Sequence, residues 1–283
     1  MSPMRAVAEV VQAHRTVEGG GFVVRRPFPT TSLDHIDPFL LLDEMGPVEY
    51  GPGEAVGAPE HPHRGFETVT YLLHGAMEHR DSSGGVGTIT PGGVQWMTAG
   101  SGVVHSELPP ASMVKLGGKM HGFQLWVNLP AAKKMIAPRY QGFDAEEIVA
   151  NTLANGGVMK VVAGEVAGVL GKVNTTSPVT YAHIEFAAGD QVVWAPQEGH
   201  TALVHVFGGE VEVNGEKAVD GQMVVLERTA GEVRVTSANG ASVLLLGGEP
   251  LNEPVARYGP FVMNTQAEIV QAFEEYQAGT LVR

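Results

Sequence analysis

The chain has 283 residues, a formal net charge of −13 at pH 7 and no cysteine. Without cysteine it can form neither disulfides nor thiolate metal sites, which fits a reducing compartment. The acidic balance provides no basic surface for phosphates, so we expect no direct binding of nucleic acid.

The N-terminal residues 1–14 (MSPMRAVAEVVQAH) lack the apolar core and cleavage signal of a secretory signal peptide. No segment of the chain approaches the ~20 consecutive apolar residues that a membrane-spanning helix needs. We therefore expect a soluble cytoplasmic protein without membrane association.

Short apolar segments rich in β-branched residues recur along the chain and are separated by glycine turns. Short strands at close spacing with such turns favour a sandwich or a barrel. The segments predict strands at residues 21–25, 68–73, 122–128, 159–162, 202–206, 222–226 and 241–246.

Helical signals are sparse. Short turns are predicted at residues 130–135 and 144–150, and the clearest helix at residues 266–278. In that helix Ile269, Phe273 and Tyr276 stand at helical spacing, with Asn264 or Thr265 as the cap and Gly279 as the stop. We expect this helix to pack on a sheet.

A weak internal repeat divides the chain. Residues 69–100 and residues 204–231 both read as strand, glycine hairpin, strand, glycine turn and strand, ending in Thr-Ala-Gly. Two similar β-barrels in tandem are the simplest explanation. We predict an N-terminal barrel at residues 1–140 and a C-terminal barrel at residues 141–283, with the boundary in the less periodic stretch 137–151.

Two short motifs carry the strongest functional signal: His61-Pro62-His63 and His105-Ser106-Glu107. Within each motif the polar side chains are two positions apart, and on a strand such side chains point to the same face. Two such strands placed together would bring three imidazoles and one carboxylate to one point. That set of donors suits a first-row transition metal with open positions for another ligand.

The second half of the repeat lacks this set. Aligning the glycine turns places Ala195 and Gln197 opposite His61 and His63, and Thr236 and Ala238 opposite His105 and Glu107. None of the four is a good metal ligand. The polar cluster is therefore not a requirement of the scaffold, which indicates that it serves a site in the first barrel.

Glu67 is a competing carboxylate, because it lies four positions after His63 and shares its strand face. It can ligate a metal, hydrogen-bond a ligand imidazole or form an ion pair with Arg64 or Arg80, and spacing does not choose between Glu67 and Glu107. His79 and His121 also fall in the first half, where we expect hydrogen-bonded structural roles. The tryptophans are expected to pack the barrels.

Five segments closely resemble the pirin family. They are DPFLLLDEMGP (37–47), HPHRGFETVTYLLHG (61–75), PGGVQWMTAGSGVVHSE (91–107), HGFQLWVNLP (121–130) and GEPLNEPVARYGPFVMNT (248–265). The resemblance covers nearly the whole chain. It implies an all-β fold of two tandem cupin (jelly-roll-like) β-barrels with a short C-terminal helix, of which the N-terminal barrel bears the metal.

Position by position, the resemblance implies that His61, His63, His105 and Glu107 are the metal ligands and that Glu67 does not bind the metal. One divalent transition metal is expected, Fe(II) first. Mn, Co, Ni, Cu and Zn also suit these donors, because affinity alone does not select among them.

The resemblance further implies quercetin 2,3-dioxygenase-type activity on a small aromatic, flavonol-like substrate. Glu107 would accept the proton of the flavonol 3-hydroxyl, and ring cleavage would release carbon monoxide. An alternative is a metal- and redox-dependent regulatory protein that acts through a protein partner without turnover. A cupin isomerase that uses zinc as a Lewis acid is a third possibility.

Overall fold

The computed structural model describes residues 3–18, 21–82 and 84–282 of the chain. These residues form two compact units. The ranges are Arg15–His35, Phe39–Ala145 and Leu251–Arg283 for the first unit, and Met1–His14, Ile36–Pro38 and Glu146–Pro250 for the second.

The described residues form mainly antiparallel strands. In chain order the strands are β1 (Val7–Gln12), β2 (His14–Glu18), β3 (Phe22–Phe28), β4 (Phe39–Tyr50), β5 (Ala58–His63), β6 (Phe66–His74), β7 (Met77–Asp81), β8 (Val86–Ile89), β9 (Val94–Thr98), β10 (Val103–Leu108), β11 (Gly118–Asn128), β12 (Arg139–Phe143), β13 (Val149–Thr152), β14 (Val158–Ala163), β15 (Glu165–Val166), β16 (Val169–Leu170), β17 (Val179–Phe186), β18 (Gln191–Trp194), β19 (Thr201–Val213), β20 (Glu216–Val219), β21 (Gln222–Leu226), β22 (Val233–Thr236), β23 (Ala241–Gly248), β24 (Ala256–Tyr258) and β25 (Phe261–Met263). The helices are α1 (Ala111–Leu116) and α2 (Gln266–Gln277), and Ala131–Lys133 forms a 3₁₀ turn.

The first unit contains a seven-stranded sheet of order β12-β9-β6-β11-β4-β3-β2 and a four-stranded sheet of order β5-β10-β7-β8. Large side chains from β3, β4, β6, β9 and β11 are fully buried, and burial of such side chains is the main source of stability in a β-barrel core. These side chains are Phe28, Phe39, Phe66, Tyr71, Trp96 and Phe123.

The C-terminal segment belongs to the first unit. The guanidinium of Arg64 donates to Glu275 Oε2 at 2.6 Å, and Val262 N donates to Arg64 O at 3.1 Å. The buried ammonium of Lys134 donates to the carbonyls of Gly65 and Val262 at 2.8 and 3.1 Å. Buried polar groups that are satisfied in this way fix the path of the segment.

Helix α2 begins at a capping box. Thr265 Oγ1 accepts from Glu268 N, and the Glu268 carboxylate accepts from Thr265 N at 2.8 Å. Reciprocal capping satisfies two of the free amides at the helix start. The helix buries Ile269 and Ala272 against Phe261 and other apolar residues of the same unit.

The second unit contains a sheet of order β1-β21-β19-β23-β17-β14-β13, to which β18, β20 and β22 are attached. Strand β1 pairs with β21 in antiparallel register, from Val7 opposite Leu226 to Gln12 opposite Gln222. The N-terminal strand is therefore part of the unit formed mostly by residues 146–250.

These units differ from the predicted ranges 1–140 and 141–283 at both chain ends. The pairing of β1 with β21 places the N-terminal strand in the second unit, and the contacts of Arg64 and Lys134 place the C-terminal tail in the first.

The predicted strands are all present, as is the C-terminal helix, whose cap is Thr265. Neither helix among the described residues has the length and hydropathy needed to span a bilayer.

Candidate metal centre

His61 and His63 lie on β5, and His105 and Glu107 lie on the adjacent strand β10. The antiparallel register places His105 opposite His61 and Val103 opposite His63. A register shift between His105 and Glu107 leaves Glu107 opposite Ala58. The two motifs predicted to converge therefore lie on neighbouring strands of the four-stranded sheet.

Three histidines form a tight cluster. One ring nitrogen of each of His61, His63 and His105 lies within 4.8 Å of the others. The ring centroids are 4.7 Å apart for His61 and His63, and 4.4 Å apart for His61 and His105. This convergence of imidazoles matches the donor preference of first-row transition metals.

Hydrogen bonds fix which nitrogen faces the cluster. His61 Nδ1 donates to the carbonyl of Pro59 at 2.7 Å, and His63 Nδ1 donates to the carbonyl of Pro260 at 3.3 Å. A carbonyl can only accept, so each Nδ1 carries the proton and each Nε2 keeps its lone pair. These are the tautomers that a metal ion requires.

His105 supplies a buried nitrogen that needs a partner. Its Nε2 is buried and has no hydrogen-bond partner among the described residues. Buried polar atoms are nearly always paired, so an unpaired one calls for an explanation. A metal ion between the three rings accounts for it.

Burial favours the neutral forms of His63 and His105 by lowering their pKa values. It lowers the pKa of His63 to about 3, with the neighbouring His61 acting in the same direction. Burial is also the main cause of a lowered pKa at His105, followed by the nearby His63 and His61. Desolvation disfavours the imidazolium, and a neutral ring is the form that ligates.

The two candidate carboxylates occupy different places. Glu107 lines a cavity together with His61 and His63, and its Oε1 accepts from Thr70 Oγ1 at 2.9 Å. Glu67 is 1% exposed, and its Oε1 accepts from Thr98 Oγ1 at 2.7 Å. The cluster of mutually close ligand atoms consists of the three histidines and does not include either carboxylate.

The cavity has a volume of about 500 Å³, within the range of small-molecule sites. Trp126 forms part of its wall, with its ring centroid 5.3 Å from that of His63 in an edge-to-face arrangement. Apolar side chains make up much of the remaining wall, among them Phe22, Leu41, Met45 and Pro260.

Charged residues also line the cavity. Arg26 holds Asp43 with two hydrogen bonds of 2.5 and 2.6 Å and also pairs with Glu18 at 2.6 Å. Burial raises the pKa of Asp43 to about 6, although Arg26 opposes this shift. The guanidinium of Arg257 stands 5.1 Å from the ring centroid of Trp126, in a cation–π contact.

Comparison with known proteins adds independent information. A family model described as pirin matches residues 21–127, and a model of the pirin C-terminal cupin domain matches residues 181–282. The chain belongs to the pirin family. The family match confirms the expected tandem cupin domains, and the strands and helix α2 of the structure confirm the expected all-β fold with a short C-terminal helix.

Pirin relatives align along the whole chain. A Pseudomonas aeruginosa protein named "Putative quercetin 2,3-dioxygenase" is 40% identical, and the alignment covers 99% of each chain. Pirin of Mus musculus is 38% identical, with 98% of this chain and 94% of the mouse chain covered. The crystal structure of quercetin 2,3-dioxygenase from Acinetobacter baumannii is 39% identical, covers 99% of each chain and superposes with a TM-score of 0.93.

Sequence patterns did not place Trp126 or Arg257 in the cavity. Trp126 packs against Phe66, as predicted, and it also lines the cavity beside His63. Arg257 reaches the cavity from the C-terminal segment, and no local pattern marks it. His79 was expected to be a hydrogen-bonded structural residue, and its partner is His105 at 3.3 Å.

Proposed function

We propose that this chain is a metal-dependent dioxygenase that acts on flavonol-like substrates in the manner of quercetin 2,3-dioxygenase. The observation that carries the proposal is the cluster of His61, His63 and His105, with its unpaired buried His105 Nε2, beside a cavity of about 500 Å³. The similarity to the Acinetobacter baumannii quercetin 2,3-dioxygenase, at 39% identity over 99% of each chain, supports the choice of reaction.

The proposed ligands are the three histidines and Glu107, which together hold one divalent transition metal. Nitrogen and carboxylate oxygen donors without thiolate suit Fe(II), our first choice, as well as Mn, Co, Ni, Cu and Zn. When bound, the metal would supply Lewis-acid stabilisation of the substrate oxyanion and redox chemistry toward dioxygen.

Glu107 is proposed to accept the proton of the flavonol 3-hydroxyl as well as to ligate. Glu107 is 5% exposed, and Thr70 Oγ1 donates to one of its carboxylate oxygens at 2.9 Å, which fixes the orientation of the carboxylate toward the cavity. A general base acts best when neighbouring groups hold it in place. Cleavage of the ring by dioxygen then releases carbon monoxide.

The other residues that line the cavity would bind the substrate and keep water away from it. Trp126 offers an aromatic surface edge-on to His63, suited to a planar aromatic ligand. The wall formed by Phe22, Leu41 and Met45 is apolar, so a bound flavonol would displace water from the reacting ring.

We place the protein in the cytoplasm on the grounds of its cysteine-free composition.

Quercetin turnover tests the proposal. Protein loaded separately with Fe(II), Mn, Co, Ni, Cu and Zn should consume dioxygen and release carbon monoxide in the presence of quercetin with at least one metal. The His105→Ala variant should lose that activity together with the metal. Absence of carbon monoxide with every metal, in protein shown to contain it, would contradict a flavonol dioxygenase.

A further inference from the structure

Strand β10 has neighbours on both sides, and only one side carries the ligand histidines of β5. On the other side β7 pairs with β10 so that Asp81 lies opposite His105 and His79 lies opposite Glu107. His79 and Asp81 are two positions apart, so their side chains share one face of β7. The register thus places a further histidine and a further carboxylate next to the candidate ligands.

The side chains are in close contact. His79 Nδ1 lies 3.3 Å from His105 Nδ1, and the two ring centroids are 5.0 Å apart. On its far side His79 Nε2 lies 3.6 Å from Asp81 Oδ2. The side chains of His79 and Asp81 are 2% and 1% exposed, so water does not compete for these contacts.

The ring of His79 is also confined by packing. The Tyr140 ring stands 4.7 Å from it, centroid to centroid, at an interplanar angle of 57°. A ring held between Tyr140 and His105 has little freedom to rotate, so the positions of its two nitrogens are defined.

The two facing Nδ1 atoms require one donor and one acceptor. If His79 donated, His105 would carry its proton on Nε2 and could not offer that atom to a metal. If His105 donates from Nδ1, its Nε2 keeps the lone pair, and His79 must then carry its proton on Nε2. Asp81 favours the second arrangement, because its carboxylate lies 3.6 Å from His79 Nε2 and, when ionised, attracts an N–H at that atom and repels a lone pair.

We propose that His79 is a positioning residue that, oriented by Asp81, fixes His105 in the tautomer whose Nε2 binds the metal. This inference rests on the proposed metal site, and it concerns the chain's affinity for the metal. His61 and His63 need no such positioning residue, since the carbonyls of Pro59 and Pro260 can only accept and therefore fix the tautomers of these two rings. His105 faces an imidazole, which can donate or accept, and the carboxylate of Asp81 makes the choice.

Replacement of His79 separates this role from packing. In His79→Asn the amide oxygen stands near the position of the imidazole Nδ1 and can accept from His105, whereas in His79→Leu no acceptor remains. The matched control is His121→Leu, since His121 is a buried histidine of the same unit whose Nε2 contacts Glu44 at 2.9 Å rather than a ligand.

The measurement is the affinity for Zn²⁺ alone, obtained by competition with a chromophoric chelator, with thermal unfolding to verify that each variant folds. We expect His79→Leu to bind zinc about 10- to 100-fold more weakly than the parent chain, as for other partners of metal-bound histidines. His79→Asn and His121→Leu should stay within about fivefold of the parent.

A folded His79→Leu variant that binds zinc as tightly as the parent chain would overturn the proposed role of His79. Equal losses in His79→Leu and His79→Asn would also overturn it, as would an equal loss in His121→Leu. Zinc binding requires no flavonol, so a failure of quercetin turnover leaves this result intact. Failure of the parent chain to bind zinc would instead overturn the metal site itself, and the positioning role of His79 with it.

Discussion

Thr70 Oγ1 donates to Glu107 Oε1 at 2.9 Å, and this bond holds the carboxylate of β10 at the wall of the cavity. The other carboxylate on offer, Glu67, is bound by Thr98 Oγ1 at 2.7 Å and does not line the cavity. The two acidic residues are thus held by equivalent threonine contacts in different places. Substitution at each position distinguishes a ligand from a structural carboxylate.

We predict that Glu107→Ala weakens metal binding far more than Glu67→Ala does. Removal of a ligand carboxylate should cost at least about tenfold in affinity for Zn²⁺ or Co²⁺. Glu67→Ala should mainly lower the free energy of unfolding by about 1–3 kcal/mol, since it removes the buried acceptor to which the Thr98 hydroxyl donates. Metal titration and chemical denaturation of both variants provide the two readouts. If Glu67→Ala loses the metal and Glu107→Ala keeps it, the ligand assignment is reversed.

The buried guanidinium of Arg64 should be essential for stability. Arg64→Met removes the bonds to Glu275 Oε2 and to the Ser101 carbonyl, each 2.6 Å long, from a buried site. We expect a loss of about 3 kcal/mol in the free energy of unfolding. Arg80→Met is the control, because Arg80 is 64% exposed and its contact with Glu78 is 3.7 Å long. A loss below about 1 kcal/mol at Arg64 would show that the C-terminal tail is held in another way.

Gly65 should not tolerate a side chain. Its φ is +89°, and a Cβ added there would lie 1.9 Å from the carbonyl oxygen of Val262. We expect Gly65→Ala to lower the free energy of unfolding by more than about 3 kcal/mol, since the backbone itself must move. Gly53 has a similar φ of +83° with nothing near its Cβ position, so Gly53→Ala should cost only about 1 kcal/mol. Equal losses at the two positions would rule out the clash with Val262 as the cause.

Lys134 should make stability depend on alkaline pH. Burial lowers its pKa from 10.5 to about 8, so the charged form is disfavoured in the folded state. The buried ammonium therefore lowers the free energy of unfolding. This penalty is fully present below pH 8 and disappears as the pH rises toward 10.5. From pH 7 to pH 10 the parent should gain about 2 kcal/mol relative to Lys134→Met, in which this group is absent. Chemical denaturation at both pH values measures the difference, and a difference that stays constant would mean that the pKa of Lys134 is not lowered.

The convergence of the three candidate ligand histidines could be predicted from the sequence, because strand alternation is a local rule. Residues two positions apart share a face, so His61 with His63, and His105 with Glu107, could be paired before the fold was known. The absence of such pairs at Ala195 and Thr236 in the repeat added a second, equally local argument. The regulatory hypothesis concerns a protein partner, and it stays a prediction.

Features that depend on long-range pairing could not be predicted. The contact of His79 with His105 requires the β7–β10 register, and the position of Arg257 in the cavity depends on the path of the C-terminal segment. The membership of β1 in the second unit arises from its pairing with β21, more than 200 residues away in the sequence. Helix α1 has six residues and follows Pro109-Pro110, too short for an apolar period to appear.

The most direct test of the metal centre is an anomalous-difference map from crystals of the chain loaded with one divalent metal, collected at the absorption edge of that metal. We predict a single site per chain, within about 2.0–2.3 Å of the Nε2 atoms of His61, His63 and His105, with a carboxylate oxygen of Glu107 as the fourth protein ligand. A map without a peak between these three nitrogens, from crystals whose protein retains the metal, would contradict the account.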